Sequence, residues 1–202
     1  MSSADHAVIR CALVGADSLL IECGEALLGK GHEIVAVAAG SRRVADWAAS
    51  KQLTVIDATR PVAQWEPELA AHSFEWLFAI THLALLPDSV ISLPTRGAIN
   101  FHDGPLPGYA GLNTPAWALV NGEETYGITW HMITSGIDEG DVVAQARFDV
   151  AEGETSLSLN TRNFEAAIES FATLVDDLAA GTVTATPQDQ SATHRTYSRH
   201  DR

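Results

Sequence analysis

The sequence predicts an α/β protein, built on an open and mostly parallel β-sheet with helices packed against it. Short apolar runs alternate with stretches whose apolar residues recur at helical spacing through the first half of the chain, which is typical of this fold class. An apolar run, a helical stretch and a second apolar run follow one another within residues 7–41. That order is the pattern of a βαβ unit, whose two strands lie parallel and are joined by a right-handed crossover.

The predicted elements follow in regular order through the first half of the chain. The first strand ends at Gly15, and a helix N-cap is predicted at Asp17 or Ser18. Gly29 and Gly31 indicate the end of the helix that follows. The remaining segments are predicted as strands at residues 33–41, 53–59, 74–82 and 97–104, helices at 44–52 and 67–73, and a loop or short helix at 86–94.

The pattern changes in the second half of the chain. A helix capped by Thr114 is predicted over residues 114–123, and two β-rich runs at 125–133 and 141–150 are expected to pair as an antiparallel extension of the sheet. One long amphipathic helix covers residues 156–181. We therefore expect one domain over residues 1–181, followed by a polar C-terminal tail, 182–202, with little to bury and a solvated final segment, 194–202.

Composition and charge exclude several classes of protein. Hydrophobic residues make up 46% and charged residues 19% of the chain, as in ordinary globular proteins. The formal net charge of -14 argues against nucleic acid or an anionic membrane surface as a partner. The apolar run from Cys11 to Ile21 is interrupted by Asp17 and is too short to span a bilayer. Cys11 and Cys23 have no His or Cys near them at metal-ligand spacing, so we expect buried thiols, no bound metal and a cytoplasmic protein.

A dinucleotide cofactor is not expected at the turn that follows the first strand. The sequence there, VGADSLLIECG, lacks the G-x-G-x-x-G pattern, whose second glycine lets the backbone come close to a pyrophosphate.

Polar residues suited to chemistry lie at the end of the strand GAINFHDG. Asn100 and His102 are two positions apart, so they project from the same face of the strand. They are placed at the carboxyl end of a parallel strand, the edge at which ligands bind in open α/β sheets. Asparagine offers a neutral amide donor, and histidine carries a proton that is mobile near neutral pH.

A second polar segment, GITWHMITSGIDEGD, carries Asp138 in a loop between Gly136 and Gly140. Taken alone, an acidic loop of this kind is usually a solvated turn. An Asn and a His at a strand end are likewise more often structural than catalytic.

In combination, however, these residues resemble the folate-dependent formyltransferases, such as methionyl-tRNA formyltransferase and glycinamide ribonucleotide transformylase. The shared pattern is Asn-x-His, then a proline-containing loop ending in PGYAG, then Asp138 in IDEGD, 36 residues after His102. The resemblance extends from the first strand to about residue 180. It implies an enzyme with a Rossmann-like catalytic domain.

The resemblance also implies the reaction and the roles of three residues. A formyl group would move from N10-formyltetrahydrofolate, the donor co-substrate, to an amine. Asn100 would donate a hydrogen bond to the oxygen of the tetrahedral intermediate, helped by His102. Asp138 would keep His102 charged, and it could also accept the amine proton through a water, with His102 sharing the acid–base work.

Further residues enter through the same resemblance. His131, which shares a strand face with Thr129 and Ile133, is either a core histidine or a supporting residue of the site. The pterin of the folate would lie between two segments and would be bound largely by their backbone groups. The alternative for the two leucines of the first segment is that they simply pack in the core. These segments are Leu85, Leu86 and Pro87 on one side and Ser135, Gly136, Ile137 and Asp138 on the other.

Several acceptor amines are compatible with the family resemblance. The family loop after the His commonly reads Pro-Ser-Leu-Leu-Pro, whereas residues 103–107 read DGPLP. A transfer RNA is not expected, because the net charge is -14 and no further RNA-contacting domain follows. The sequence resembles more closely the formylation domains of nonribosomal peptide synthetases, which act on an aminoacyl group held by a carrier protein. N-formyltransferases of nucleotide-linked amino sugars are the second possibility, and a formyltetrahydrofolate hydrolase or a silent folate-binding module are further ones.

Overall fold

The computed structural model describes residues 7–189, 191 and 195–198 of the chain. Its helices are α1 (Ser18–Gly29), α2 (Arg42–Ser50), α3 (Val62–Ala70), α4 (Asp88–Ile91), α5 (Thr114–Val120) and α6 (Ser156–Ala180). Its strands are β1 (Arg10–Gly15), β2 (Glu33–Ala39), β3 (Val55–Asp57), β4 (Trp76–Ile80), β5 (Gly97–His102), β6 (Ala110–Gly111), β7 (Thr125–Met132), β8 (Val142–Asp149) and β9 (Thr196–Tyr197).

Seven of these strands form one open sheet, in the order β3-β2-β1-β4-β5-β7-β8. The pairs from β3 to β5 are parallel, whereas β7 runs antiparallel to both β5 and β8. This arrangement confirms the predicted Rossmann-like α/β fold and its antiparallel extension. Strands β6 and β9 pair in parallel as a separate two-stranded sheet.

The two faces of the large sheet are covered by different helices. In β1, Leu13 packs in the cluster that includes residues of α1 and α6, whereas the neighbouring Val14 packs in the cluster that includes α3. This alternation follows from the two-residue period of a strand. Cys11 and Cys23 are both fully buried, as predicted, and burial raises the pKa of each thiol.

The long helix α6 begins at the predicted residue, ends one residue earlier than predicted and has the predicted amphipathic character. It begins with a capping box in which Thr155 and Ser158 satisfy each other's backbone N–H, and its C-cap is Gly181, whose φ is 69°. Phe171 of α6 packs edge-to-face on Phe78 of β4, with ring centroids 5.2 Å apart. Within the described ranges, no helix combines the length and the apolar character needed to cross a membrane.

Three helix starts differ from the sequence predictions. Helix α2 begins at Arg42 rather than at Val44, because the side chain of Ser41 caps it by accepting the N–H of Val44. A helix beginning at Pro67 is predicted, but Pro67 lies inside α3, which begins at Val62. The earlier turn forms because Trp65 and Leu69, four residues apart, are both buried against the sheet. The N-cap of α5 is Asn113 rather than Thr114, whose hydroxyl instead donates a hydrogen bond to Asp103 Oδ1 at 3.1 Å.

Most described residues beyond α6 are exposed, as in a tail that buries little, but they contact the domain at three places. Gln188 is only 8% exposed, Thr186 bridges to Val142, and the strand β9 pairs with β6. Residues 194 and 199–202 of the segment predicted to be solvated lie outside the described residues. The division into a domain over 1–181 and a tail over 182–202 stays a prediction.

Candidate active site

The end of β5 presents Asn100 and His102 beside strand β7. Asn100 pairs with His131, and His102 pairs with Thr129, across the antiparallel β5–β7 ladder. The intervening Phe101 packs on Trp130 at a centroid distance of 5.3 Å, on the face covered by α6. The alternation of the two strands therefore places four polar side chains together on the other face. These are Asn100, His102, Thr129 and His131.

Asn100 and His131 are joined by a hydrogen bond. The Nδ2 of Asn100 lies 3.1 Å from Nε2 of His131, and the other ring nitrogen, Nδ1, lies 2.9 Å from the carbonyl oxygen of Met132. A carbonyl can only accept, so Nδ1 of His131 carries a proton. In the neutral ring Nε2 accepts from the Asn100 amide, and the second N–H of that amide is left for a ligand. In the protonated ring Nε2 carries a proton and faces Oδ1 of Asp138, 3.4 Å away, as a donor.

His102 is buried, with 5% of its side chain exposed, and both of its ring nitrogens face polar groups. Nε2 lies 2.6 Å from the carbonyl oxygen of Tyr109 and therefore donates to it. Nδ1 lies 3.5 Å from Oδ2 of Asp138 and 3.9 Å from Oδ1 of Asp103. The ring is oriented by a carbonyl on one side and by carboxylates on the other.

Asp138 lies between the two imidazoles. Its Oδ1 is 3.4 Å from Nε2 of His131, and its Oδ2 accepts the backbone N–H of Gly111 at 2.8 Å. Burial raises the pKa of Asp138, but the His131 contact, the positive charge of His102 and the Gly111 N–H outweigh it and lower the pKa to about 2. The carboxyl is therefore ionised at neutral pH. The residue adopts a left-handed backbone, with φ 52°, which Asp tolerates better than most side chains.

The loop after β5 is fastened to β7 and β8 by two polar side chains. The fully buried Thr129 donates to the carbonyl of Gly104 at 2.8 Å and accepts the N–H of Leu106 at 3.0 Å. Gln145 of β8 donates to the carbonyl of Leu106 at 2.9 Å and to the Thr129 hydroxyl at 3.0 Å. This anchoring fixes the loop that carries the Tyr109 carbonyl.

The residues predicted to contact folate differ in how exposed their side chains are. Leu86 is 9% exposed and packs in the core with Val90, so the core-packing alternative holds for it. Leu85 and Ile137 are 68% and 52% exposed, so they remain available for contact with an apolar ring. Ser135 is exposed, and Gly136 and Pro87 are half-buried.

The sequence does not indicate the roles that several residues play in the site. Gly111 belongs to the PGYAG pattern, but its role as a donor to Asp138 depends on the fold of the loop. Thr129 and Gln145 look like ordinary strand residues, and Gln188 lies in a segment with no periodicity. In the part of the chain that the structure describes, no group of three or more His, Cys, Asp or Glu side chains is arranged to hold a metal ion.

The site combines an amide donor, two imidazoles and an ionised carboxylate at the edge of an α/β sheet. Such groups can stabilise an oxyanion and transfer a proton, as enzymes of group transfer require. Residues 36–175 match the Formyl transferase family. The match covers well over half of the chain, and the chain belongs to this family of folate-dependent formyltransferases. It is therefore an enzyme of formyl-group transfer.

Solved structures share the fold. Glycinamide ribonucleotide transformylase 1 from Symbiobacterium toebii is similar with a TM-score of 0.76 and 21% identity, over 89% of this chain and 94% of that one. The N-formyltransferase from Helicobacter canadensis, solved with folinic acid and dTDP-3-aminofucose, is similar with a TM-score of 0.79 and 19% identity. That match covers 96% of this chain and 72% of that one. Phosphoribosylglycinamide formyltransferase from Anaplasma phagocytophilum is similar with a TM-score of 0.77 and 22% identity, over 90% of this chain and 95% of that one.

Proposed function

We propose that this enzyme transfers the formyl group of N10-formyltetrahydrofolate to an amine, with Asn100, His102 and Asp138 as its catalytic residues and His131 in support. One observation carries the proposal. The carboxylate of Asp138 lies 3.4 and 3.5 Å from the ring nitrogens of His131 and His102, and Asn100 is held against His131 at 3.1 Å. An oxyanion donor and a proton-transfer group are thus fixed within one small site.

Asn100 supplies the donor for the developing oxyanion. The amine attacks the formyl carbon, and negative charge collects on the formyl oxygen. His131 takes one N–H of the Asn100 amide, so the second N–H has a fixed direction for that oxygen. A donor that is oriented before the reaction stabilises the charge without reorganisation, which is typically worth about 3–4 kcal/mol of barrier.

Proton transfer is assigned to His102 rather than to Asp138. The new C–N bond forms first and gives the tetrahedral intermediate; the bond between the formyl carbon and N10 then breaks, and the proton lost by the amine must reach N10. A carboxyl whose pKa is about 2 is a weak base at neutral pH, so Asp138 serves better by stabilising the imidazolium of His102. To reach the intermediate, the Nε2–H of His102 must turn away from the Tyr109 carbonyl, which it contacts at 2.6 Å.

The proposed folate site is formed by Leu85 and Ile137 together with the backbone of residues 135–138. Two large exposed apolar side chains suit the ring system of the donor, and loop backbone groups suit its hydrogen-bonding edge. The structure of the Helicobacter canadensis enzyme was determined with folinic acid, and this supports a folate as the donor here.

For the acceptor we propose an aminoacyl group held by a carrier protein of nonribosomal peptide synthesis. The support is the resemblance of residues 100–131 to formylation domains and the DGPLP loop, 103–107, which differs from the usual family loop. A nucleotide-linked amino sugar is the second candidate. It is favoured by the Helicobacter canadensis enzyme, which was solved with dTDP-3-aminofucose.

The test supplies formyltetrahydrofolate with three acceptors in parallel: an aminoacyl carrier protein, a nucleotide-linked amino sugar, and water alone. Mass spectrometry shows which acceptor gains the mass of one CO, and release of tetrahydrofolate without any acceptor reports hydrolysis. Formylation of the carrier-bound aminoacyl group is the expected result. Formylation of the sugar alone overturns the acceptor, hydrolysis alone overturns the transferase, and no turnover with bound folate identifies a silent binding module.

A further inference from the structure

We propose that Gln188 and the strand β9 are positioning elements of the active site, which hold Asp138 from two sides. The proposal rests on the proposed function of Asp138. Neither Gln188 nor the residues of β9 contact the imidazoles or the Asn100 amide directly. They act on the carboxylate through the backbone of two loops.

Gln188 holds the backbone of the loop that carries Asp138. Its side-chain amide donates to the carbonyl of Asp138 at 2.7 Å and to the carbonyl of Gly140 at 2.8 Å. The side chain is buried, so these two carbonyls have no easy replacement partner in water. Asp138 sits in the left-handed region at φ 52°, a conformation that persists where the surroundings determine it strongly. Gln188 supplies such a constraint.

Strand β9 fixes the N–H that Asp138 accepts. The backbone N–H groups of Ala110 and Leu112 donate to the carbonyls of Arg195 and Tyr197, at 2.8 and 2.9 Å. Successive N–H groups of a strand point to opposite sides. The N–H of Gly111, between them, is therefore directed away from β9, and it meets Oδ2 of Asp138 at 2.8 Å.

The residue at position 111 is restricted to glycine by this approach. Its φ is 90°, and an added Cβ would lie 2.0 Å from the carbonyl oxygen of Tyr197. The backbone of β9 therefore lies against β6 at a distance that leaves no room for a side chain. Such close contact is consistent with a strand that sets the position of the Gly111 N–H.

Tyr197 anchors β9 by aromatic stacking. Its ring lies between Trp117, at 4.8 Å and 9° between planes, and Tyr109, at 5.8 Å and 22°. Asn121 donates to the hydroxyls of both tyrosines, at 2.9 and 3.0 Å. Tyr109 is also the residue whose carbonyl orients His102. The stack thus connects the strand to both sides of the His102–Asp138 pair.

The first experiment replaces Gln188 by Met, which keeps the length of the side chain and removes both donors. Formyl transfer is measured per folded molecule, with circular dichroism at the assay temperature giving the folded fraction. We expect kcat to fall about 10-fold or more with KM for donor and amine nearly unchanged, because a small displacement of a catalytic group affects the chemical step. Gln64→Met, in exposed sequence of α3, is the matched control and should behave as the wild type. Equal kcat values for the two variants would overturn the proposal.

The second experiment needs no turnover. The carboxyl carbon of Asp138 is followed by NMR through an acid titration in the wild type, in Tyr197→Ala and in Tyr197→Phe. Loss of the Gly111 hydrogen bond removes one of the contacts that lower the pKa of Asp138, so Tyr197→Ala should raise that pKa. Tyr197→Phe keeps the stack and should restore the wild-type titration. An unchanged pKa in folded Tyr197→Ala contradicts the positioning role.

The two measurements separate the positioning role from the reaction. If the wild type transfers no formyl group to any acceptor, the proposed function fails, while the titration still reports whether β9 positions the Asp138 carboxylate. If the wild type is active and either Gln188→Met leaves kcat unchanged or folded Tyr197→Ala leaves the titration of Asp138 unchanged, the positioning role fails alone.

Discussion

Asn100 and His131 face each other across the β5–β7 ladder, with Nδ2 of the amide 3.1 Å from Nε2 of the imidazole. The carbonyl of Met132 holds the proton of His131 on Nδ1, so Nε2 can serve as the acceptor. The relationship fixes which way the Asn100 amide points. Its second N–H is the group assigned to the oxyanion, so the pair offers a direct test of the site.

Removing the amide should abolish most of the activity without unfolding the protein. For Asn100→Ala we expect kcat to fall by roughly 10²–10³, because one preorganised oxyanion donor is lost. The measurement is steady-state formyl transfer, with circular dichroism and thermal unfolding as checks on the fold. Asn160→Ala, at an exposed position of α6, is the matched control. Near-normal turnover by folded Asn100→Ala would remove the assignment.

His131 should matter less than Asn100, because it orients the amide and contacts no reacting atom. His131→Ala leaves the Asn100 N–H present but free to turn, so we expect kcat to fall roughly 10-fold, within the range known for misplaced catalytic groups. The control is His72→Ala, a partly exposed position that follows α3. A loss as large as that of Asn100→Ala would instead give His131 a direct catalytic role.

Much of the framework could be predicted from local patterns, and the close contacts of the site could not. The spacing of apolar residues and the glycines at element ends predict the sheet and α6. The alternation of side chains along a strand predicts that Asn100 and His102 share a face. The donation from Gly111 to Asp138 depends on how two loops fold back on each other, which leaves no periodic trace in the sequence. The contacts of Gln188, which lies 50 positions from Asp138, cannot be predicted from the sequence pattern for the same reason.

The carboxylate of Asp138 should give a measurable pH dependence of stability. Its pKa is about 2 in the folded protein against an ordinary value of 3.8, so the folded state binds this proton less tightly than the unfolded chain. The resulting stability is fully present above the unfolded value and is lost as the pH falls through about 2. Its size is about 2 kcal/mol.

Urea unfolding of the wild type and Asp138→Asn over an acid pH series checks this expectation. The difference in the free energy of unfolding between the two proteins should be largest near neutral pH and should narrow as the wild-type carboxylate is protonated. A difference that is constant with pH would mean that the ionised form of Asp138 gains nothing from His131, His102 and the Gly111 N–H.

Gly104 should tolerate no side chain, because the backbone there passes directly beside His102. A Cβ at this position would lie 2.9 Å from Nε2 of His102 and 2.8 Å from the carbonyl oxygen of Tyr109, the two atoms that form the 2.6 Å hydrogen bond. Both are held by buried neighbours, so neither can move aside easily. We therefore expect Gly104→Ala to lower kcat strongly and to destabilise the protein by about 1–3 kcal/mol, as overpacking does.

The matched control for this substitution is Gly29→Ala, at the end of α1. A Cβ there meets nothing within 4 Å, and the backbone is helical, so the change should be neutral or stabilise the protein by up to about 1 kcal/mol. Thermal unfolding and formyl transfer are measured for both variants. If Gly104→Ala keeps the wild-type kcat, the loop has moved without effect on His102, and the hydrogen bond from His102 to the Tyr109 carbonyl does not orient the catalytic imidazole.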